Sequence, residues 1–366
     1  MVRSKIENGS ENKRKRKMHG MLLIGCGNMA KYGHCPQLKK LENLKLVSAC
    51  DVSIEKAEAF KNEFGFERFS ADYKSELGEK DIDVVLVATT WQPRYKIIKD
   101  CLLSGKHVLA EKPLALYLDE IDDLIKITKT NNVKLRVGYI QRASAMMNKV
   151  HELIGAGTIG TPQSLTLVHH QRGLKSDWLV MRNLLRGGVT PGIDCGIHMC
   201  DVARWWFNDE PDFVFSTGCR LEDEVKSNTL THDSFVMKKG VKVFLEECFS
   251  NNTEPFARIQ IIGDKGSIIP VWARNGINEH ILLWDGVNYE QKKIEFKAGG
   301  KSTGEQMKRF LVDVENNIDT SKHLEDVRKS TEMALGALLS SVRNEIVKFP
   351  LSNDDVMETH GLITRN

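Results

Sequence analysis

The chain has 366 residues, enough for two domains, because single cores usually stop growing near about 250–300 residues. Its residues are 41% hydrophobic and 28% charged, as in soluble globular proteins, and no apolar run approaches the ~20 residues needed for a membrane-spanning helix. The formal charge of +3 is concentrated in the first 17 residues, where seven bases oppose Glu7 and Glu11; the remainder is net −2, which argues against a general nucleic-acid surface.

Residues 1–18, with the run Lys13 to Lys17, read as a flexible basic tail that lacks the apolar core of a secretory signal. From residue 19 to 140 short apolar strands alternate with amphipathic helices. Strands are expected at Met21–Ile24, Leu44–Cys50, Val84–Ala88, His107–Ala110 and Leu135–Gly138, and helices at Ile54–Phe64, Arg94–Ser104 and Leu118–Thr130. Strands separated by helices predict βαβ units and a doubly wound parallel sheet. From 141 to 351 the character changes. A helix near Met146–Ile154 is followed by strand runs at Ser164–His169, Phe213–Thr217, Ser234–Lys238, Lys242–Cys248, Ala257–Ile262, Ser267–Val271 and Ile281–Trp284. These predict an α+β domain on a large open mixed or antiparallel sheet, closed by helices at Glu305–Asn317 and Leu324–Arg343. With too few helices to cover both faces, the sheet is expected to bury part of one face in a homo-oligomer. Residues 352–366 read as a C-terminal tail. The eight cysteines form no CxxC pair and suit reduced thiols in the cytoplasm.

The first strand runs into Gly25-Cys26-Gly27-Asn28-Met29-Ala30, a GxGxxA turn. Gly25 permits a tight turn, Gly27 lets the backbone approach a pyrophosphate, and Ala30 lets a helix pack closely. The helix N-terminus then offers N–H groups to phosphates. Asp51 ends the next strand, 21 residues after Ala30, where a carboxylate accepts both adenosine ribose hydroxyls and repels a 2′-phosphate. The expected cofactor is therefore NAD rather than NADP, on a Rossmann domain.

Two further stretches carry chemistry. Glu111-Lys112-Pro113 follows the strand His107–Ala110, placing a lysine in the crevice at the carboxyl edge of the parallel sheet. Next to an oxidised nicotinamide its pKa is expected to fall. Farther on, Asp194 and His198, four apart, are expected on one helix face, where the carboxylate orients an imidazole that takes a proton from an alcohol. His169-His170 reads as polar strand-end residues rather than a metal pair, since no third ligand is placed, and no metal is expected.

With these motifs in this order, the chain resembles the glucose–fructose oxidoreductase, inositol dehydrogenase and rhizopine catabolism (Gfo/Idh/MocA) family from Met21 to Leu351. Gly105–Val108 before the Glu-Lys-Pro turn, Asp194 to Asp201, Ile261 to Ser267, and the late helix followed by Val347 to Leu351 support the resemblance. It implies a catalytic trio in which His198 is the general base, Lys112 binds the reacting oxygen, and Asp194 orients substrate or histidine. It also implies cofactor contacts from Gly25, Gly27, Asn28, Met29, Ala30, Asp51, Thr89, Trp91, Glu111, Lys112 and Gln141. The expected reaction is NAD-dependent oxidation of a secondary ring hydroxyl of a sugar, glycoside or cyclitol, C3 of a glucoside being the preferred position. The alternatives are a glycosidase using transient oxidation and a non-catalytic NAD or sugar sensor.

Some positions depart from the family pattern. After the third strand the stretch Ala88–Arg94 puts Trp91 against the nicotinamide pocket and Arg94 where relatives carry histidine. Val189–Gly192 replaces commoner apolar residues. The loop from His169 to Trp178 is rich in donors, so Arg172, Lys175 and Trp178 join Asp194 and His198 as expected substrate contacts.

Overall fold

The computed structural model describes residues 17–171, 182–225, 227–250, 252–273, 278–296 and 302–363. The first six strands are β1 (His19–Ile24), β2 (Leu44–Cys50), β3 (Arg68–Ser70), β4 (Val84–Val87), β5 (His107–Ala110) and β6 (Leu135–Val137). They form one parallel sheet in the order β3-β2-β1-β4-β5-β6. The order reverses between β1 and β4, which opens a crevice beyond their carboxyl ends. Helices α1 (Cys35–Leu38), α2 (Ile54–Phe64), α3 (Tyr73–Leu77), α4 (Trp91–Leu103) and α5 (Leu118–Asn131) connect the strands. Their boundaries follow local chemistry. Ser53 Oγ caps α2 by accepting from Lys56 N–H, and Gly65 ends it at φ +83°.

The second sheet has nine strands: β7 (Pro162–Gln171), β8 (Pro211–Cys219), β9 (Leu230–Met237), β10 (Lys242–Phe249), β11 (Phe256–Gly263), β12 (Gly266–Val271), β13 (His280–Asp285), β14 (Glu290–Glu295) and β15 (Val347–Lys348). Their order is β14-β13-β12-β11-β7-β10-β9-β8-β15, antiparallel except for the parallel pair β7–β10. One face packs on helices, among them α6 (Ala145–Gly155), α7 (Pro191–Asp194) and α8 (Gly196–Phe207). The strand β14 has the sequence EQKKIE, so it lacks the apolar alternation that marks the others; charged edge strands of this kind resist sheet-to-sheet pairing.

The chain then returns to the first sheet. Helix α9 (Thr303–Glu315) packs Met307, Phe310 and Leu311 among Met21, Leu23, Leu86 and Leu109, and Thr303 Oγ1 donates to Gly33 O at 2.7 Å. Helix α10 (Ser321–Arg343) lies between α5 and the second sheet. Residues 353–362, read from sequence as tail, form a capped helix α11 (Asn353–Leu362), and Ile363 after it is fully buried. Among the described residues no helix is long and apolar enough to cross a membrane.

Candidate active site

The glycine turn is built as its residue types require. Gly25 has φ +100°, and a Cβ there would lie 2.8 Å from the Ala88 carbonyl carbon and Thr89 nitrogen at the end of β4. Beside Gly27, by contrast, the space a Cβ would fill is empty to 4 Å, leaving the backbone open to a phosphate-bearing group. Ala30 is fully buried. Asp51 Oδ2 accepts from Cys26 N–H at 2.8 Å and Oδ1 from Ser53 N–H at 3.0 Å, so the carboxylate stands beside the turn. The open cradle and the carboxylate together fit a dinucleotide.

The element after the turn is not the expected α-helix. Met29–His34 is a π-helix, closed by Cys35 N–H bonding to Ala30 O, before the single α-turn Cys35–Leu38. Pro36 accounts for this: it has no N–H, and in a continuous α-helix its ring would crowd the carbonyl of Tyr32. The wider turn places His34 inside the protein. There, His34 Nε2 lies 2.7 Å from Glu111 Oε1, both residues being buried. Burial alone would raise the Glu111 carboxyl, but the bond to His34 and the charges of Arg94 and Lys112 hold it at about 2. Arg94 Nη1 donates to the carbonyls of Glu111, at 3.0 Å, and Pro113, while Nη2 donates to Thr89 O. Burial brings its guanidinium down to about 10, still charged at neutral pH. Arg94 therefore ties the β4 and β5 loops together. Trp91 is buried edge-on to Tyr117, with Nε1 unpartnered. Gln141 lies on the 3₁₀ turn Ile140–Ala143 after β6.

Lys112 projects from this loop toward the second domain. Its Nζ donates to Asp194 Oδ1 at 2.9 Å and Asp194 O at 2.7 Å. Burial would lower the ammonium pKa, but the adjacent Asp194 carboxylate prevails and raises it. Asp194 and His198 do not share one continuous helix. Asp194 ends the one-turn helix α7, Cys195 interrupts, and α8 begins at Gly196. The Asp194 carboxylate accordingly meets Lys112. His198 is pushed down to about 3 by burial and by the Lys112 charge, so its imidazole is neutral. Its buried Nδ1 has no partner, and the Tyr139 ring meets it edge-on with centroids 5.8 Å apart.

Sequence reasoning missed what strand pairing supplies. His169 on β7 and Glu247 on β10 are directly paired across the parallel ladder, and His169 Nδ1 is 2.7 Å from Glu247 Oε2. Burial would lower His169, but the hydrogen bond and charge of Glu247 raise it. The Cys195 thiol donates to Gln171 Oε1 at 3.5 Å. The available signal was alternation: Val243, Leu245 and Glu247 share the buried face of β10, so Glu247 is a charge at an apolar position. Arg172, Lys175 and Trp178 lie outside the described residues.

Residues 20–139 match the NAD-binding Rossmann fold of the Gfo/Idh/MocA oxidoreductase family, and residues 147–269 match the Gfo/Idh/MocA C-terminal domain. A myo-inositol 2-dehydrogenase of Thermotoga maritima is 28% identical over 67% of this chain and 73% of its own length. The scyllo-inositol 2-dehydrogenase (NAD(+)) of Bacillus subtilis is 27% identical over 67% and 72% respectively. In fold, the chain is similar to a scyllo-inositol dehydrogenase from Lactobacillus casei, crystallised with NAD(H) and scyllo-inositol. The TM-score is 0.78 at 20% identity, over 91% of this chain and 99% of that one.

Proposed function

This chain is an NAD-binding member of the Gfo/Idh/MocA oxidoreductase family, and from that premise we propose that it oxidises a secondary ring hydroxyl of a cyclitol, sugar or glycoside to a ketone. The observation that carries the reading is the meeting of Lys112 from the first domain with Asp194 from the second, at 2.9 Å, beside a neutral His198. NAD, when bound along the Gly25–Ala30 turn and Asp51, supplies the hydride acceptor. Lys112, charged at neutral pH, donates to the substrate oxygen and stabilises the negative charge developing there. His198 accepts the hydroxyl proton on an imidazole nitrogen. Asp194 positions Lys112 through its carboxylate. Asn28, Met29, Thr89, Trp91, Glu111 and Gln141 complete the cofactor surroundings in this proposal, and Arg172, Lys175 and Trp178 join the substrate side.

A cyclitol is the first substrate to test, because the relatives above are named as inositol dehydrogenases; for a glycoside, C3 of the glucosyl unit is the preferred position. Inositols and aryl glucosides are incubated with the protein and NAD, and NADH absorbance and aglycone release are followed together. NADH formed with a ring polyol supports the proposal. Aglycone release without NADH would replace it with transient oxidation in a glycosidase, and silence in both channels across the panel would overturn it.

A further inference from the structure

Beside the Lys112–Asp194 pair, three side chains from distant parts of the sequence converge. His169 stands near the end of β7, Glu247 opposite it on β10, and Cys195 at the break between α7 and α8. A ligand atom from each (His169 nitrogen, Cys195 sulfur, Glu247 oxygen) lies within 4.8 Å of the other two, the only such group of three among the described residues. The fold thus supplies the partners that His169 lacks in the sequence. The same two strands carry His170 and Glu246 on the opposite face, where His170 Nε2 meets Glu246 Oε1 at 2.6 Å and Thr253 Oγ1 takes the other ring nitrogen. That outer pair has no cysteine, and the inner one does.

We infer that His169, Cys195 and Glu247 form a binding site for a single transition-metal ion of zinc type, with its remaining coordination directed at the Lys112–Asp194 crevice. The donor set selects the ion class. A thiolate and an imidazole disfavour magnesium and calcium, while nitrogen, sulfur and carboxylate oxygen together suit zinc. Three protein ligands are also the number found in catalytic zinc sites, which keep a fourth position for water or substrate. Typical zinc bond lengths place ligand atoms roughly 3.4–3.6 Å apart in a tetrahedron. The present atoms span 2.7 Å for His169–Glu247 and at most 4.8 Å overall, so side-chain adjustments of about an ångström suffice. Charge also permits it. Lys112 is the nearby cation, and Asp194 neutralises it at 2.9 Å, leaving the Glu247 carboxylate and a Cys195 thiolate to balance a dication. The Cys195 thiol donates to Asp194 Oδ2 at 3.9 Å, so the proposed ion would lie beside the Lys112–Asp194 pair.

The binding site stands on this geometry alone; that the ion would polarise a substrate oxygen rests on the oxidation proposed above. The test therefore reads metal, not turnover. The full-length protein with NAD is stripped by chelator and titrated calorimetrically with zinc chloride, then separately with cobalt chloride while the near-ultraviolet spectrum is recorded. The expected result is one equivalent of zinc bound, with proton release as Cys195 ionises, and a thiolate-to-cobalt charge-transfer band. Cys195→Ser should abolish the band, and His169→Gln and Glu247→Gln should each weaken zinc on the order of tenfold to a hundredfold. Lys112→Ala should bind zinc at least as tightly as the parent. NAD binding by each variant confirms that it is folded. No stoichiometric binding by the parent, or a cobalt band that survives Cys195→Ser, would overturn the site and leave His169–Glu247 as a hydrogen-bonded strut.

Discussion

The two halves of the molecule bring residues to the crevice by different means. In the first domain, parallel strands all end on the same edge, so functional groups follow strands in short contiguous motifs: Gly25 to Ala30 after β1, Asp51 after β2, and Glu111 to Pro113 after β5. In the second, groups come from one face of paired strands and from a helix break, so His169, Glu247 and Cys195 meet although 78 residues separate the first two. A topological edge can be read from sequence, whereas a strand register cannot until the pairing is known. The dinucleotide-binding turn is therefore legible in local motifs, whereas the meeting of His169, Cys195 and Glu247 depends on tertiary pairing.

The sharpest way to break this division is to remove one member of the trio from each half. Lys112→Ala and His198→Ala should each lower turnover by about a hundredfold or more while leaving NAD affinity near that of the parent. Lys112→Arg should not rescue, since the larger planar guanidinium presents a different donor geometry from the compact ammonium. The pH profile adds a check. His198 is held at about 3, below its ordinary value, so its basic form persists as pH falls and is lost only near the depressed pKa. The free enzyme should thus show no break in kcat/KM from His198 between pH 5 and 9. Full activity of His198→Ala across that range would move the base elsewhere, with His169 or Tyr139 next in line.

A second substitution separates charge from scaffolding within the cofactor side. Asp51→Ala should weaken NAD by roughly tenfold to a hundredfold, the size of one charged hydrogen-bonding group, and NADP by much less. Because Asp51 also accepts from Cys26 and Ser53 N–H groups, Asp51→Asn is the informative companion. It keeps an acceptor for the turn and loses the charge that repels a 2′-phosphate. Better use of NADP than NAD by the unmodified protein would overturn the role given to Asp51.

How much was legible follows from the same contrast. Strands β2 and β5 and helix α2 have the bounds expected from sequence because apolar runs, a serine cap and a left-handed glycine mark them locally. The three-residue β3 and the polar β14 were not legible, being too short or lacking alternation. At the site, Lys112 and His198 stand in recognisable motifs. The buried His34–Glu111 pair depends on a π-turn, and the Asp194–Lys112 contact on a helix break, neither of which side-chain periodicity encodes. The return of α9 onto the first sheet was likewise invisible, because an amphipathic helix does not specify which apolar surface it covers.

The outer face of the second sheet extends the comparison to assembly. Phe215, Phe256, Ile262 and Trp284 alternate outward there, each about two-fifths exposed, whereas the first sheet has helices on both faces. Association of copies through that face is expected, and light scattering at micromolar concentration should report a dimer or larger species. Phe215→Glu with Trp284→Glu should shift it toward monomer, while NAD affinity stays unchanged. A monomeric parent would remove this expectation.

The smallest expected effect tests where the two halves are joined. Helix α11 begins with a reciprocal cap: Ser352 Oγ accepts from Asp355 N–H at 3.1 Å and Asp355 Oδ2 accepts from Ser352 N–H at 3.0 Å. Its far end touches both regions. Ile363 O accepts from the Tyr117 hydroxyl at 2.9 Å, just ahead of α5 in the first domain. Leu362 O lies 2.1 Å from where a Cβ on Gly188 would be, on the segment leading into α7 and Asp194. Ser352→Ala removes one side-chain acceptor from an exposed helix start, so it should cost about 1 kcal/mol in denaturant unfolding and leave kcat unchanged. If α11 also holds the segment before Asp194 in place, the same substitution would lower kcat without altering NAD affinity. A change confined to unfolding would make the helix a clamp on stability alone, and a change in kcat would extend the substrate side of the site to the last described turn of the chain.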